Sequence, residues 1–249
     1  MNSKEEIVSS CKILLDAYNS GELGFMKMPE DSNLGFSKSE QELRLTYFTL
    51  PMSLNYQRNS YSLWESALKS FEDLETRRVF DVGFSANADE EELRNLLMKY
   101  KIALQQNKHI DTWERISRTI FDNWGSVGNL LKFADYDFLK LRQIVQVDYK
   151  KGFPYLSGPK IFNYWSSIIQ RYGGVKLKNS EFIEIAPDTH VTKCSVILGV
   201  ITEDEALVLS KEKLSEKWRD VLTGSGINPI DMHSPLWFWS RNNFQFKLE

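Results

Sequence analysis

Residues 152–165 of this 249-residue chain run Gly-Phe-Pro-Tyr-Leu-Ser-Gly-Pro-Lys-Ile-Phe-Asn-Tyr-Trp and place a turn directly before a helix. Pro159 suits the first helical position, because a proline there lacks only an N–H group that would have no partner within the helix. The unpaired N–H groups of such a first turn point outward and favour a phosphate oxygen. Lys160 follows at the positive end of the helix dipole. Partial desolvation there disfavours the ammonium form, which makes the amine a better nucleophile.

A second motif lies at residues 186–199, which run Ala-Pro-Asp-Thr-His-Val-Thr-Lys-Cys-Ser-Val-Ile-Leu-Gly. Asp188 is well placed to cap the helix that this run predicts. His190 is a candidate metal ligand, but the sequence offers no second histidine at ligand spacing. We therefore interpret His190 as a residue of the helix surface or core, and we predict no metal site.

Helical periodicity dominates the rest of the chain. Apolar residues recur at helical spacing in several stretches, approximately 7–18, 43–51, 63–71, 113–121, 138–145, 189–199, 203–222 and 234–243. Residues 175–185 alternate only weakly, and the pattern is compatible with a loop, a short hairpin or a short helix. No clear strand, internal repeat or low-complexity tract is present, so the sequence predicts a compact all-α protein.

Local signals place the ends of these helices. Gly21 stands where the first helix should end, and Pro51 is expected to break the second. The start of the second helix is predicted at Ser37 or Ser39, and that of the third at Ser60 or Ser62. Asp89 and the glutamates that follow it are typical of another helix start, because acidic residues complement the helix dipole.

Length, cysteine content and charge limit the class of protein to which this chain can belong. A chain of 249 residues supports one large domain or two interlocked lobes. With only two cysteines, the chain predicts neither a four-cysteine cluster nor disulfide dependence, which favours a reducing, cytoplasmic compartment. We see no signal peptide and no apolar run of the roughly 20 residues that span a bilayer. The net charge is −3, but residues 132–193 contain ten basic and six acidic residues, which allows a locally basic face.

The two motifs resemble those of the helix-hairpin-helix DNA glycosylases. In that family a Gly-Pro-Lys or Gly-Arg-Lys turn opens a helix and a Val-Asp-Thr-His-Val motif follows. Here Gly158-Pro159-Lys160 and residues 187–191, Pro-Asp-Thr-His-Val, occupy those positions. The family hairpin usually carries two glycines around an apolar residue, whereas Leu156 and Ser157 precede a single glycine in this chain. That hairpin, and the long interval from Lys160 to Asp188, are similar to those of archaeal 8-oxoguanine glycosylases.

The resemblance implies a fold, an activity and a partner. The fold would be a two-lobed helical glycosylase-like domain over residues 1–249, with the hairpin and catalytic segment at 152–199. Lys160 would attack C1′ of a flipped-out nucleotide, displace a damaged base such as 8-oxoguanine, and form a Schiff base that permits strand cleavage. Asp188 would help to deprotonate the amine or stabilise positive charge on the sugar. The implied protein needs no cofactor and is a monomer that binds damaged double-stranded DNA in the cytoplasm, associated with the nucleoid.

Further DNA contacts are predicted at the hairpin, the second motif and one interhelical loop. Ser157, Gly158 and His190 are the candidates within the two motifs. In the loop, Asn55, Gln57 and Arg58, together with Tyr56, stand where related glycosylases fill the gap left by the extruded base. The alternative is an ordinary interhelical turn with exposed polar residues.

A base pocket is predicted near the C-terminal end, at residues 229–241. Asp231, His233 and Trp237 combine hydrogen-bonding groups with an aromatic ring, as recognition of a flipped base requires. The alternative is a helix whose Leu236, Trp237 and Trp239 pack into the core.

Two other functions are compatible with the same sequence. One is an N-glycosidase that acts on a free nucleoside or nucleotide, which suits the acidic overall charge. The other is a noncatalytic helix-hairpin-helix module that binds DNA or a protein partner. Salt-sensitive DNA binding without base release would indicate the latter.

Overall fold

The structure is a computed structural model that describes residues 2–24, 30, 35–56 and 58–248. Within these ranges the regular elements are helical, and the β pairing is limited to an isolated bridge between Asp137 and Lys178, so the predicted all-α class is confirmed. None of the described helices has the length and apolar character needed to cross a bilayer. The α-helices are α1 (Lys4–Ser20), α2 (Gln41–Ser53), α3 (Ser60–Glu72), α4 (Val82–Asn87), α5 (Glu90–Lys99), α6 (Lys108–Trp124), α7 (Val127–Phe133), α8 (Phe138–Gln143), α9 (Pro159–Arg171), α10 (Thr189–Ile197), α11 (Glu203–Val208), α12 (Lys211–Leu222) and α13 (His233–Arg241).

The chain forms two compact units. The terminal unit comprises Met1–Met26 and Ser180–Glu249 and contains α1 and α10–α13. The central unit, Lys27–Asn179, contains α2–α9. Lys160 therefore belongs to the central unit and Asp188 to the terminal unit.

An aromatic cluster forms much of the core of the central unit. Tyr47 and Phe48 of α2 both lie 5.7 Å from Trp64 of α3, measured between ring centroids. All three rings are buried, and burial of each such side chain contributes roughly 1.5–3 kcal/mol to folding. On α9, the buried Trp165 donates a 3.0 Å hydrogen bond from Nε1 to Thr49 Oγ1 of α2. The helix that begins at Lys160 is thereby anchored to the core.

Buried polar contacts hold α10 in the terminal unit. Trp218 of α12 donates from Nε1 to Ser195 Oγ at 2.8 Å, and the Cys194 thiol donates to the Leu236 carbonyl of α13 at 3.2 Å. All of these side chains are buried. Because α10 follows Asp188 directly, these contacts also fix the position of that carboxylate.

Several predicted helix ends are confirmed. Gly21 ends α1 in the left-handed conformation, with φ 84°, which glycine adopts at little cost. Asp89 caps α5 by accepting hydrogen bonds from the N–H groups of Glu91 and Glu92. Ser37 precedes a 3₁₀ turn that leads into α2, and its N–H donates to the Glu40 carboxylate at 3.0 Å.

Three other boundaries were predicted wrongly. Helix α2 continues through Pro51 to Ser53, because a proline in the last turn removes only one N–H near the end of the hydrogen-bond ladder. Asn59 caps α3 in place of Ser60 or Ser62, since its side chain accepts from the Ser62 N–H at 3.2 Å. The pattern at 203–222 is two helices, because Leu209 is extended and Ser210 caps the start of α12.

The structure also defines the regions whose conformation the sequence left open. Residues 175–185 form a connection with a single 3₁₀ turn, Ser180–Phe182, which selects the loop among the three alternatives. Helices α4 and α7 were not predicted, because six or seven residues are too few to show a helical period. After α8 the chain forms a π-helical turn, Ile144–Asp148, and a 3₁₀ turn, Lys150–Gly152, immediately before the hairpin.

Candidate functional site

Residues 153–158, which we call the hairpin, form the predicted turn directly before α9. Gly158 occupies the N-cap and Pro159 the first helical position, as the sequence predicted. Since glycine has no side chain, nothing at the N-cap accepts from the N–H groups of Lys160 and Ile161, which therefore remain available to a ligand. The Lys160 side chain is exposed in this first turn, so the partial desolvation expected from the sequence is not present.

Backbone hydrogen bonds and one buried side chain hold the hairpin in place. The Ser157 N–H donates to the Phe153 carbonyl and the Gly158 N–H to the Tyr155 carbonyl, both at 2.9 Å. Leu156 is fully buried, as is Phe153. These contacts define a turn without the second glycine of the family pattern.

Tyr155 is held in an unusual backbone conformation, with φ 59°. A non-glycine residue in this left-handed region costs about 1–3 kcal/mol, so the surrounding structure must enforce it. The Tyr155 ring lies 5.2 Å from that of Tyr56, in the loop after α2, measured between centroids. Lys108 Nζ, at the start of α6, lies 5.0 Å from the Tyr155 centroid and 5.7 Å from that of Tyr56. We call Tyr56, Tyr155 and Lys108 the aromatic step.

The aromatic step brings the predicted loop and the hairpin together within the central unit. Tyr56 is 46% exposed, so part of its ring faces solvent. The loop and the hairpin are widely separated in sequence, and Lys108 comes from a third element. A cation beside two aromatic rings suits contact with nucleic acid, because bases stack on the rings and phosphates attract the ammonium group.

Two of the predicted polar residues of the loop, Asn55 and Arg58, have partners inside the protein. Arg58 donates from Nη1 to the Ile102 carbonyl at 2.7 Å and from Nη2 to the Lys101 carbonyl at 3.2 Å. Burial lowers its pKa. Asn55 accepts a 3.0 Å hydrogen bond from Ser60 Oγ, and Gln57 lies outside the described residues. Arg58 thus anchors the loop that presents Tyr56.

Asp188 caps α10, as the sequence predicted. Its Oδ1 accepts from the N–H groups of His190 and Val191, both at 2.9 Å. Since one oxygen takes both bonds, the cap leaves Oδ2 for other contacts. The side chain is half-buried and follows the buried Pro187.

Two predicted site residues of the terminal unit are in contact. The His190 and Trp237 rings lie 5.6 Å apart between centroids, and His190 Nδ1 is within 3.0 Å of Ser240 Oγ. The Arg241 guanidinium carbon lies 4.6 Å from the Trp237 centroid. His190 and Trp237 are both half-buried, so the histidine predicted to contact DNA and the tryptophan predicted to line the base pocket share one surface.

The other predicted pocket residues lie nearby in sequence but differ in burial. Asp231 is half-buried in a 3₁₀ turn, where its Oδ2 accepts a 3.1 Å bond from Asn228 Nδ2. His233 is buried at the first position of α13. Leu236 and Trp239 are buried as well, so these two residues pack into the core, as the alternative to a base pocket predicted. Trp237 is half-buried.

The two cysteines are not alternative nucleophiles. Burial raises the pKa of Cys11 and of Cys194 to about 12, so both thiols stay protonated at neutral pH and are poor nucleophiles. In the described part of the chain, no group of three or more His, Cys, Asp or Glu side chains is placed to hold a metal ion.

Neither Tyr155 nor Lys108 was predicted from the sequence as a site residue. Tyr155 lies within the hairpin, where an aromatic residue between Pro154 and Leu156 is a weak signal of exposure. Lys108 gave no signal, because only the folded chain places it beside the two tyrosines.

Comparison of the chain with protein-family models, curated proteins and solved structures gives no match.

Proposed function

We propose that this protein is a DNA glycosylase with abasic-site lyase activity that removes a damaged base, such as an oxidised purine, from double-stranded DNA. The observation that carries the proposal is the exposed Lys160 in the first turn of α9, directly after the hairpin that carries Tyr155 of the aromatic step. A nucleophile, a phosphate-binding helix start and a stacking surface then lie on one unit.

The reaction uses the Lys160 amine as nucleophile. Its nitrogen bonds to C1′ as the bond between C1′ and the base breaks, and the base leaves with a proton. The sugar ring then opens to a Schiff base, loss of a proton from C2′ expels the 3′ phosphate, and hydrolysis returns the free amine. The resemblance to the glycosylases also implies a role for Asp188, which would accept the amine proton or stabilise positive charge on the sugar; its Oδ2 is not used by the helix cap.

The central unit binds the DNA backbone and stacks on its bases. The N–H groups of Lys160 and Ile161 contact a phosphate oxygen at the positive end of α9. Tyr56 stacks in the gap left by the extruded nucleotide, and Lys108 adds a cation at the same place. The first turn of α9 thus holds the strand without reading its sequence.

Borohydride trapping on a panel of damaged duplexes tests the proposal. Wild-type protein is expected to form a covalent adduct with at least one damaged duplex and with an abasic-site duplex, and none with undamaged DNA. Reduction fixes the Schiff base, so the adduct reports the lysine chemistry directly. Binding of all duplexes without an adduct or base release would contradict the enzymatic proposal and indicate a noncatalytic DNA-binding module.

Replacement of Tyr56 is expected to weaken binding to a duplex with an abasic site. Base stacking on an aromatic ring contributes about 1–3 kcal/mol, so Tyr56→Ala should raise the Kd by roughly 5- to 150-fold. Tyr56→Phe is the matched control, because it keeps the ring and should bind like the wild type. Fluorescence anisotropy measures both, and equal affinity of the alanine variant would exclude a stacking role.

A further inference from the structure

A groove of about 620 Å³ lies on the central unit between α6 and residues 147–152. It is separate from the hairpin turn and from the aromatic step. Its lining contains four cationic side chains and two carboxylates. The cations are Arg115, Arg118, Lys150 and Lys151, and the carboxylates are Asp122 and Asp148.

Gly152 and Thr119, which both line the groove, pack closely against each other. A Cβ atom at Gly152 would lie 2.5 Å from Oγ1 and 2.7 Å from Cγ2 of Thr119 on α6. Only glycine allows this approach without displacing the helix side chain. The Gly152 N–H donates to the Tyr149 carbonyl at 2.7 Å, and the Tyr149 ring lies 4.9 Å from that of Trp124 at the end of α6. The segment that carries Lys150 and Lys151 is therefore fixed against α6.

The same segment is tied to the hairpin. Gln146 donates from Nε2 to the Ser157 carbonyl at 3.0 Å, one residue before Gly158. Phe153, which follows the groove directly, is fully buried. The wall of the groove and the start of α9 are thus positioned by shared contacts.

The two lysines of the groove are available to an anion, whereas the two arginines have partners. Lys150 and Lys151 are exposed. Arg115 and Arg118 pair at 2.5 Å with Asp111 and Glu114, one turn earlier on α6. Ion pairs of this kind at a solvent-exposed helix surface contribute little, so exchange of the carboxylate for a phosphate costs little.

Of the two carboxylates in the lining, Asp148 accepts a 2.8 Å bond from Gln143 Nε2. Val147, which is 61% exposed, and Tyr149, which is 37% exposed, add apolar surface beside the lysines. Positive charge together with apolar surface suits a strand of phosphates and sugars.

We propose that this groove binds the phosphodiester backbone of DNA, as a second contact that continues from the hairpin. The identity of the ligand rests on the function proposed above, since the hairpin binds the same strand chemistry. The groove gives no base-specific contacts, so it adds affinity that depends on salt and not on sequence.

The double variant Lys150→Ala/Lys151→Ala tests the groove through the salt dependence of binding to a short undamaged duplex. Each phosphate contact contributes about 0.9 to the slope of log K against log salt, so the slope should fall by about 1.8. Both side chains are exposed, and circular dichroism should show a fold like that of the wild type. Lys38→Ala/Lys176→Ala removes two exposed lysines of the same unit that do not line the groove, and its slope should match the wild type.

If the slope of the double variant equals that of the control, the groove does not bind the DNA backbone. The proposal would also be wrong if polyglutamate displaced labelled duplex from the wild-type protein as well as unlabelled duplex does, because the groove would then bind any polyanion. Trapping of the wild type on an abasic duplex, measured in parallel, separates this inference from the proposed function. If the slope falls in the double variant but the wild type forms no adduct, the groove binds DNA and the lyase proposal is wrong. If the wild type forms an adduct but the slope is unchanged in the double variant, the lyase proposal is supported and the groove does not bind DNA.

Discussion

Lys160→Gln is expected to form no borohydride adduct on any duplex that the wild type traps. The adduct requires a covalent bond from the lysine amine to C1′, and an amide side chain cannot form that bond. Fold and DNA binding should be retained, because Lys160 is exposed and an exposed substitution by a good helix former changes stability by less than about 0.5 kcal/mol. Gel analysis of trapped complexes and thermal denaturation measure the two properties.

Lys211→Gln is the matched control for this variant. Lys211 is also an exposed lysine in the first turn of a helix, α12, so it shares the local environment but not the hairpin. It should trap like the wild type. An undiminished adduct with Lys160→Gln would show that another amine is the nucleophile, and peptide mapping of the adduct would identify it.

Features set by a few neighbouring residues were predictable from sequence. Gly21 and Asp89 determine helix ends through contacts within one turn, and Gly158-Pro159 opens α9 for the same reason. The N-cap role of Asp188 also follows from local chemistry. One wrong boundary arose where two residues compete for one cap, as Asn59 and Ser60 do before α3.

Features that depend on contacts distant in sequence were not predictable. Tyr56, Lys108 and Tyr155 come from three elements, and no spacing relates them. Gly152 is required by the Thr119 side chain on α6, so its role is visible only in the packed structure. Arg58 resembled a free cation in the sequence, but the carbonyls of residues 101 and 102 bind its guanidinium.

The structure separates the roles of Lys160 and Asp188, the two proposed catalytic residues. Lys160 has no structural contact that its substitution must preserve, so a loss of activity there can be assigned to chemistry. Asp188, in contrast, stabilises α10 through two hydrogen bonds. Its structural and chemical roles must be separated by the choice of substitution.

Asp188→Asn is expected to slow base release strongly while leaving the fold intact. Asparagine caps helices about as well as aspartate, so its amide oxygen can accept from the His190 and Val191 N–H groups. It has no negative charge and cannot take a proton, and loss of such general-base or electrostatic help should lower the single-turnover rate by about 10²- to 10⁴-fold. Duplex binding should be unchanged within a few fold. Single-turnover kinetics and denaturant unfolding measure these effects.

Asp188→Ala separates the cap from the chemistry. It loses both hydrogen bonds to α10, so the free energy of unfolding should fall by about 1 kcal/mol relative to Asp188→Asn. If catalysis depends on the charge, both variants release base equally slowly although only one is destabilised. Base release at the wild-type rate by Asp188→Asn would leave Asp188 as a helix cap alone, and Lys160 would then need a different proton acceptor.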